Sequence, residues 1–458
     1  MKPLPFQIEV LNEIDWFRGR ALVALDMGLG KTFVSLKYLR DHPQTSPTVV
    51  VCPASVKYHW ERETTLHAHT TPLVAEGRKP PKGSPDGVQF VIVNYDILPQ
   101  WLRWLRRLNP RSVILDECQM IANPQAQRTK AVQQLCNESP CVLGLSGTPL
   151  LNRPIEIYNI LNILSPKMFS RRWDFIRRYC DLKVTPWGWD YKGASHTGEL
   201  NRILSSSVMI RRRMAEVLSE LPEKIRSVIP IPLSEAAKEE YNRATLDFAT
   251  WLREEKKKTS KNNAEALVKI GYLLRLIAEL KLPSIIEWVN SFLENSDEKL
   301  LVFAVHKKII SGLRNQCRAK SIVIDGSVTG RARQAAVDQF VEDPDTRLLI
   351  GNIQAAGVGI DRLQYVCSTA MFAELPWQPG AAIQAEGRLW RIGTKSTAWM
   401  YYLVAHGTIE EKLCGILQSK QEVLSSVLDG KKMDGDISIY DQLMSELVKE
   451  VTLGGEKL

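Results

Sequence analysis

Over the first 150 positions, short uninterrupted apolar runs alternate with segments whose apolar residues recur every three or four places. The runs fall at 20–25, 48–52, 89–94, 112–116 and 141–146. A run of five or six apolar residues reads as a strand buried on both faces, and the periodic segments between them read as amphipathic helices. Strands alternating with helices predict a parallel sheet covered on both sides. From about 150 to 210 the pattern turns helical, polar and rich in arginine and tryptophan, as in Arg171-Arg172-Trp173 and Arg177-Arg178-Tyr179. Within it, Trp187-Gly188-Trp189 reads as an exposed loop or a hairpin tip. Long helices are predicted over 233–294, with a basic run at Lys256-Lys257-Lys258. Such a run is either a solvated face or a nucleic-acid contact. Alternation then returns, with strands at 299–304, 321–324, 346–351, 366–373 and 397–404 and helices near 306–318, 329–341, 378–388 and 408–427. A chain of 458 residues exceeds one ordinary core, and the pattern resolves it into two α/β lobes.

The ends of the predicted strands carry the chemistry. After 20–25 comes Asp26-Met27-Gly28-Leu29-Gly30-Lys31-Thr32, a glycine turn that opens a helix. Such a turn presents backbone N–H groups at a helix N-terminus, where phosphate binds. Lys31 is placed to reach the β- and γ-phosphates and the Thr32 hydroxyl to ligate Mg²⁺. The match is partial, because the full P-loop pattern has glycine where this chain has Leu25. Asp116 and Glu117 end the strand 112–116, so Asp116 is placed to hold Mg²⁺ through water and Glu117 to deprotonate an attacking water. Ser146-Gly147-Thr148 ends the strand 141–146. In parallel sheets, ligands sit at the carboxyl ends of strands, so three motifs converge on one edge. Farther on, Arg388 and Arg391 lie three apart in a predicted helix, a spacing that sets both guanidinium groups on one face as candidate arginine fingers.

Composition narrows the function without choosing it. The net charge of +9 favours a polyanionic partner, though mildly basic proteins are common. Eight scattered cysteines with no Cys-x-x-Cys pair point away from a disulfide framework or a zinc site and toward a reducing compartment. His67 and His69 lack the cysteine neighbours of a metal site. No apolar run is long enough to span a membrane, and the first residues lack the apolar core of a signal peptide.

Together these motifs resemble the superfamily 2 helicase-type motors of the Swi/Snf family. Pro5-Phe6-Gln7 resembles the motif whose glutamine reads adenine, and Asp26 to Thr32 the family's P-loop. Pro53-Ala54-Ser55-Val56 with Trp60 resembles the DNA-tracking motif Ia. Asp116-Glu117-Cys118-Gln119 resembles the DEAH-type box, and Ser146-Gly147-Thr148-Pro149 the coupling motif III. Arg211-Arg212-Arg213 followed by Leu221-Pro222 resembles the crossing between lobes. In the second lobe, Asp325-Gly326-Ser327 resembles motif IVa, Gln354 to Asp361 (including Gly359) motif V, and Gln384 to Gly393 motif VI. Leu300 to Lys307 and Phe372 to Trp377 are most similar to the SMARCA-like annealing branch. Two positions depart: Leu25 stands at a usually acidic place and Gln119 at the histidine of the DEAH box.

The resemblance implies two RecA-like parallel-sheet lobes with helical insertions and an ATP cleft between them. Residues 1–215 would form the first lobe, with a helical protrusion at 150–210; residues 222–458 would form the second, with a helical insertion at 233–294. ATP and Mg²⁺ are the implied cofactors. Gln7, Asp26, Met27, Gly28, Leu29, Gly30, Lys31, Thr32 and Gly359 would bind nucleotide, and Thr32 and Asp116 the metal. Lys31, Asp116, Glu117, Gln384, Arg388 and Arg391 would carry catalysis, with Gln384 orienting the γ-phosphate or water. The implied activity is a DNA-dependent ATPase that translocates on duplex or forked DNA with little base specificity and remodels or reanneals it. A strand-separating helicase and an ATP-gated DNA clamp with negligible turnover are the alternatives. Trp187 and Trp189 read either as a wedge or base-stacking platform or as a packed hairpin tip. A monomer, cytoplasmic or nuclear and not secreted, is expected, and a minimal motor of this kind suits a bacterium or a virus.

Overall fold

The computed structural model describes residues 2–149, 153–185, 188–218, 220–257, 263–328, 330–356, 360–377 and 379–417. Trp187, Lys258 and Gly359, and the part of the expected 408–427 helix beyond 417, lie outside the described residues. The chain divides into two compact units, one built on Met1–Leu221 and the other on Pro222–Val328 and the described part of Ala332–Gln421.

In the first unit, β1 (Arg20–Leu25), β2 (Thr48–Cys52), β3 (Leu73–Val74), β4 (Phe90–Asn94), β5 (Ser112–Asp116) and β6 (Cys141–Leu145) precede an antiparallel hairpin, β7 (Lys183–Thr185) and β8 (Gly188–Asp190). With β9 (Met209–Arg212) they form a seven-stranded sheet in the order β3-β4-β2-β5-β6-β1-β9, the hairpin standing apart from it. Every pairing in the large sheet is parallel. The five strands expected from apolar runs are present to within a residue, because the interior of a strand buried on both faces favours apolar residues: Ala21 to Leu25 have no exposed surface at all. β3 and β9 were not expected. Both are short edge strands, and β9 ends in two arginines.

The order puts β5, β6 and β1 side by side. Their parallel carboxyl ends therefore deliver Asp116, Ser146 and the glycine turn to one edge of the sheet.

The second unit has six parallel strands, β10 (Lys224–Ile231), β11 (Leu300–Ala304), β12 (Ser321–Ile324), β13 (Leu348–Asn352), β14 (Thr369–Phe372) and β15 (Ala398–Ala405), in the order β10-β15-β14-β11-β13-β12. β10 has no counterpart among the expected strands. It alternates Lys, Arg and Ser with apolar residues and contains Pro230, a pattern that an edge strand tolerates and an apolar-run search misses. Helices Glu235–Lys257, Asn263–Leu280 and Leu282–Asn295 occupy the stretch expected to be helical. The last two are pinned by Lys281, which has no exposed surface and donates to both oxygens of Glu410 (2.6 and 2.7 Å) and to the Leu403 carbonyl (2.6 Å).

Candidate active site

The glycine turn after β1 has the backbone that phosphate binding needs. Gly28 and Gly30 have φ of 84° and 78°, in the left-handed region that favours glycine. A Cβ at Gly30 would also meet Gln7 Nε2 at 2.8 Å, so the position is closed to larger residues twice over. Gly30 caps helix Lys31–Asp41 with no side-chain hydrogen bond to its first turn. The first-turn N–H groups are therefore left to a ligand. Lys31 Nζ donates to the carbonyls of Leu25 (2.9 Å) and Asp26 (3.3 Å), curled over the turn it belongs to.

Two braces hold this turn from outside. The buried Gln7 donates from Nε2 to the Leu29 carbonyl (3.2 Å) while its Oε1 accepts from the Leu4 N–H (2.9 Å), which fixes the amide's orientation. Asp26 accepts from Arg211 at the end of β9 (2.8 Å) and from the Met214 N–H (2.8 Å). The segment that resembles a crossing between lobes is thus fastened to the P-loop, a link that spacing could not disclose.

Asp116 ends β5 with its Oδ2 accepting from Trp60 Nε1 at 2.7 Å and its carbonyl accepting from the Tyr95 hydroxyl at 2.8 Å. Trp60 is fully buried. Within the motif that resembles a DNA-tracking element, the Trp60 side chain therefore faces Asp116 rather than the surface. Burial pushes the Asp116 carboxyl above its usual range, against the opposing influence of the Trp60 N–H, Lys31 and His59. A dication beside such a desolvated carboxylate would favour its ionised form, so Asp116 is chemically suited to a cation such as Mg²⁺.

Glu117, almost wholly buried, has the left-handed backbone φ 49°, ψ 54°, rare for a residue with a side chain. Gln119 Nε2 donates to its Oε2 at 2.6 Å. The departure from histidine therefore still supplies a donor to the glutamate. The other Gln119 atom, Oε1, is buried without a hydrogen-bond partner among the described residues. Next door, Ser146 Oγ accepts from the Thr148 N–H at 3.0 Å and shapes the turn after β6.

In the second unit the arginine pair converges, but not as the spacing implied. The helix is Pro379–Glu386 and ends before either arginine. Gly387, a poor helix former, follows it, and the chain continues in tight turns: Arg388 N–H donates to Ala385 O (3.1 Å) and Leu389 N–H to Glu386 O (3.0 Å). Arg388 turns back to donate to the Gln384 carbonyl (3.4 Å) at the helix end and to Ile360 O (3.0 Å). Arg391 pairs closely with Asp361, and Arg388 lies 3.9 Å from the same carboxylate. Asp361 is thus the shared counter-ion of both. Gln384 is buried at the end of the same helix.

Glu386, between these groups, is a residue that motif reading passed over. It is buried and accepts from Lys224 (3.0 Å), from Nε and Nη2 of Arg226 (2.5 and 2.6 Å) and from the Tyr402 hydroxyl (2.7 Å). Burial alone would raise its carboxyl, but Lys224, Arg226 and Tyr402 outweigh it and hold the group down at about 2. Helix Pro379–Glu386 is thereby fastened to β10 and β15. A second lattice joins strand ends: Glu374 accepts from the N–H groups of Val305 (2.7 Å) and His306 (2.9 Å), and Asn352 Nδ2 donates to Val305 O (2.8 Å).

No group of three or more His, Cys, Asp or Glu suited to a metal ion occurs among the described residues; His67 instead lies 3.3 Å from Glu63. No helix among them is long and apolar enough to cross a membrane.

Comparison with known proteins agrees with the motif order. The family model for the SNF2-related domain matches residues 16–281, and that for the helicase conserved C-terminal domain matches 281–393. The SWI/SNF-related matrix-associated actin-dependent regulator of chromatin subfamily A-like protein 1 of Xenopus laevis is 34% identical over 430 residues, covering 92% of this chain and 43% of that protein. The DNA annealing helicase and endonuclease ZRANB3 of Homo sapiens is 32% identical over 450 residues, covering 94% and 41%. This chain thus spans less than half the length of these relatives. The Sulfolobus solfataricus SWI2/SNF2 ATPase core in complex with dsDNA aligns over 98% of this chain and 97% of its own, at 21% identity and a TM-score of 0.44.

Proposed function

The chain belongs to the SNF2-related family, and from that premise we propose that it is a DNA-dependent ATPase that translocates on duplex or forked DNA and remodels it. The observation that carries the proposal is the meeting of Lys31, Asp116, Glu117 and Thr148 at the ends of three adjacent parallel strands. The relatives' printed names, one a regulator of chromatin and one an annealing helicase, support strand annealing or fork regression as the outcome.

In this reading the glycine turn and the first-turn N–H groups of helix Lys31–Asp41 cradle the phosphates, and Lys31 leaves the Leu25 and Asp26 carbonyls to meet them. Gln7 keeps the turn in shape and reads adenine. Bound Mg²⁺, on Thr32 and Asp116, would neutralise charge on the phosphate oxygens. Glu117, steadied by Gln119, takes a proton from the attacking water. Arg388 and Arg391 stabilise charge on the transferring phosphate, which requires Asp361 to give up at least one of them. Gln384 orients the γ-phosphate or the water. DNA is held mainly by phosphate contacts, so base specificity is low.

The test is displacement of a third strand from a triplex by the protein on blunt-ended duplex DNA. ATP-dependent displacement without separation of the duplex strands is expected. Unwinding of the duplex without reannealing would transfer the chain to the strand-separating class, and absence of both activities with tight ATP-gated binding would leave the clamp.

A further inference from the structure

The protrusion of the first unit carries an apolar patch that the catalytic account does not use. Trp173 on helix Arg172–Tyr179 and Trp189 on β8 meet edge to face, ring centroids 6.3 Å apart, yet remain 50% and 58% exposed. Val184, 76% exposed, sits opposite Trp189 in the β7–β8 ladder, so the two side chains share a face. Two large indoles this open leave flat faces available to a ligand. Each packs against the other and leaves about half of its surface to solvent.

The surroundings say what such a surface suits. From Ser165 to Arg202 the sequence has eight Lys and Arg against four Asp and Glu. Arg178 and Lys183 are neutralised, by Glu199 and Asp181. Arg171 and Arg177 are exposed and take no ion pair or side-chain hydrogen bond among the described residues. Arg177 lies four residues after Trp173 on one helix, hence on the same face. An apolar protein partner would find unpaired cations at this rim. Unpaired nucleotides offer what both halves of the patch need, a flat π-face for indole and a phosphate for guanidinium.

We propose that Trp173 and Trp189, flanked by Val184 and Arg177, form a stacking platform for unpaired nucleobases of single-stranded DNA. The proposal deepens the reading of the chain as a DNA-dependent ATPase and rests on it: the platform gives the motor a preference for duplex that carries a single-stranded arm.

The test compares a blunt duplex with the same duplex bearing an oligo-dT tail, using the full chain. The tail is expected to lower the DNA concentration for half-maximal ATPase stimulation by about tenfold, the scale of one stacked base. The W173A/W189A variant should lose that gain while its blunt-duplex curve stays in place, and W173F/W189F should keep most of it. A tail preference that persists in the double alanine variant, or none in the parent, overturns the platform. Quenching of a 2-aminopurine placed in the tail reports stacking without hydrolysis: quenching lost in W173A/W189A supports the platform, and an unchanged signal overturns it. Absence of stimulation by any DNA, with tail quenching intact, would instead overturn the ATPase reading alone.

Discussion

Arg211, at the end of the edge strand β9, donates to Asp26 in the P-loop across 2.8 Å, and the same carboxylate takes the Met214 N–H. The nucleotide turn is therefore anchored to the last segment of its own unit. Both side chains are largely buried, so the contact is shielded more than a surface ion pair. Arg211→Ala should lower kcat/KM for ATP by about tenfold, the scale of one charge-assisted hydrogen bond. Arg211→Lys should recover only part, because lysine lacks the planar fork. Steady-state kinetics on both variants checks this; an unchanged KM and kcat for Arg211→Ala would remove the anchor from the account.

Loss of Lys31 or of the Glu117 carboxylate should separate chemistry from binding. Lys31→Ala and Glu117→Gln are expected to lower hydrolysis by orders of magnitude while DNA binding survives. Titration of labelled duplex beside an ATPase assay distinguishes the two. Retained turnover in Glu117→Gln would falsify its assignment as base.

Gln119 offers a sharper separation. Its Nε2 holds the Glu117 carboxylate, whereas its Oε1 is buried without a partner among the described residues. Gln119→Leu removes a useful donor and an unsatisfied acceptor together, so folding stability should change by less than about 1 kcal/mol. Loss of this donor to Glu117 should cost kcat about tenfold with little change in KM for ATP. Thermal unfolding and kinetics on one sample measure both quantities, and a matched fall in stability would reduce Gln119 to a structural residue.

Glu386 links pH to stability. Its ionised form is favoured in the folded chain, with the carboxyl at about 2 against an ordinary value near 4. The stabilisation is fully present above the unfolded value and is lost as pH falls through about 4 toward 2. Glu386→Gln leaves Lys224 and Arg226 facing a neutral group and should cost about 3 kcal/mol at pH 7. Between pH 5 and 3 the parent should lose stability faster than the variant, so their urea midpoints should draw together. Parallel pH dependences would contradict the lattice.

The groups placed on the first unit's edge were legible because sequence and topology coincide there. Five strands betray themselves by apolar interiors, with polar residues only at their ends, and parallel pairing puts their C-terminal motifs on one side. Edge strands were not legible: β10 mixes charged and apolar residues and carries a proline, and β9 is four residues long. The arginine pair illustrates another limit. Spacing of three implied a shared helix face, but the helix stops at Glu386 and it is the turn that brings both guanidinium groups to Asp361. Trp60, Arg211 and Glu386 reach Asp116, Asp26 and Arg226, which lie 56, 185 and 160 residues away, and nothing local in the sequence announces such contacts.

The most direct measurement is steady-state ATP hydrolysis at fixed salt with no nucleic acid, single-stranded DNA, duplex DNA, forked DNA and duplex RNA. Strong stimulation by duplex and fork, with weak stimulation by single strand and RNA, is the predicted result. Stimulation mainly by single strand, or flat near-zero turnover on every substrate, would contradict a motor that tracks duplex DNA.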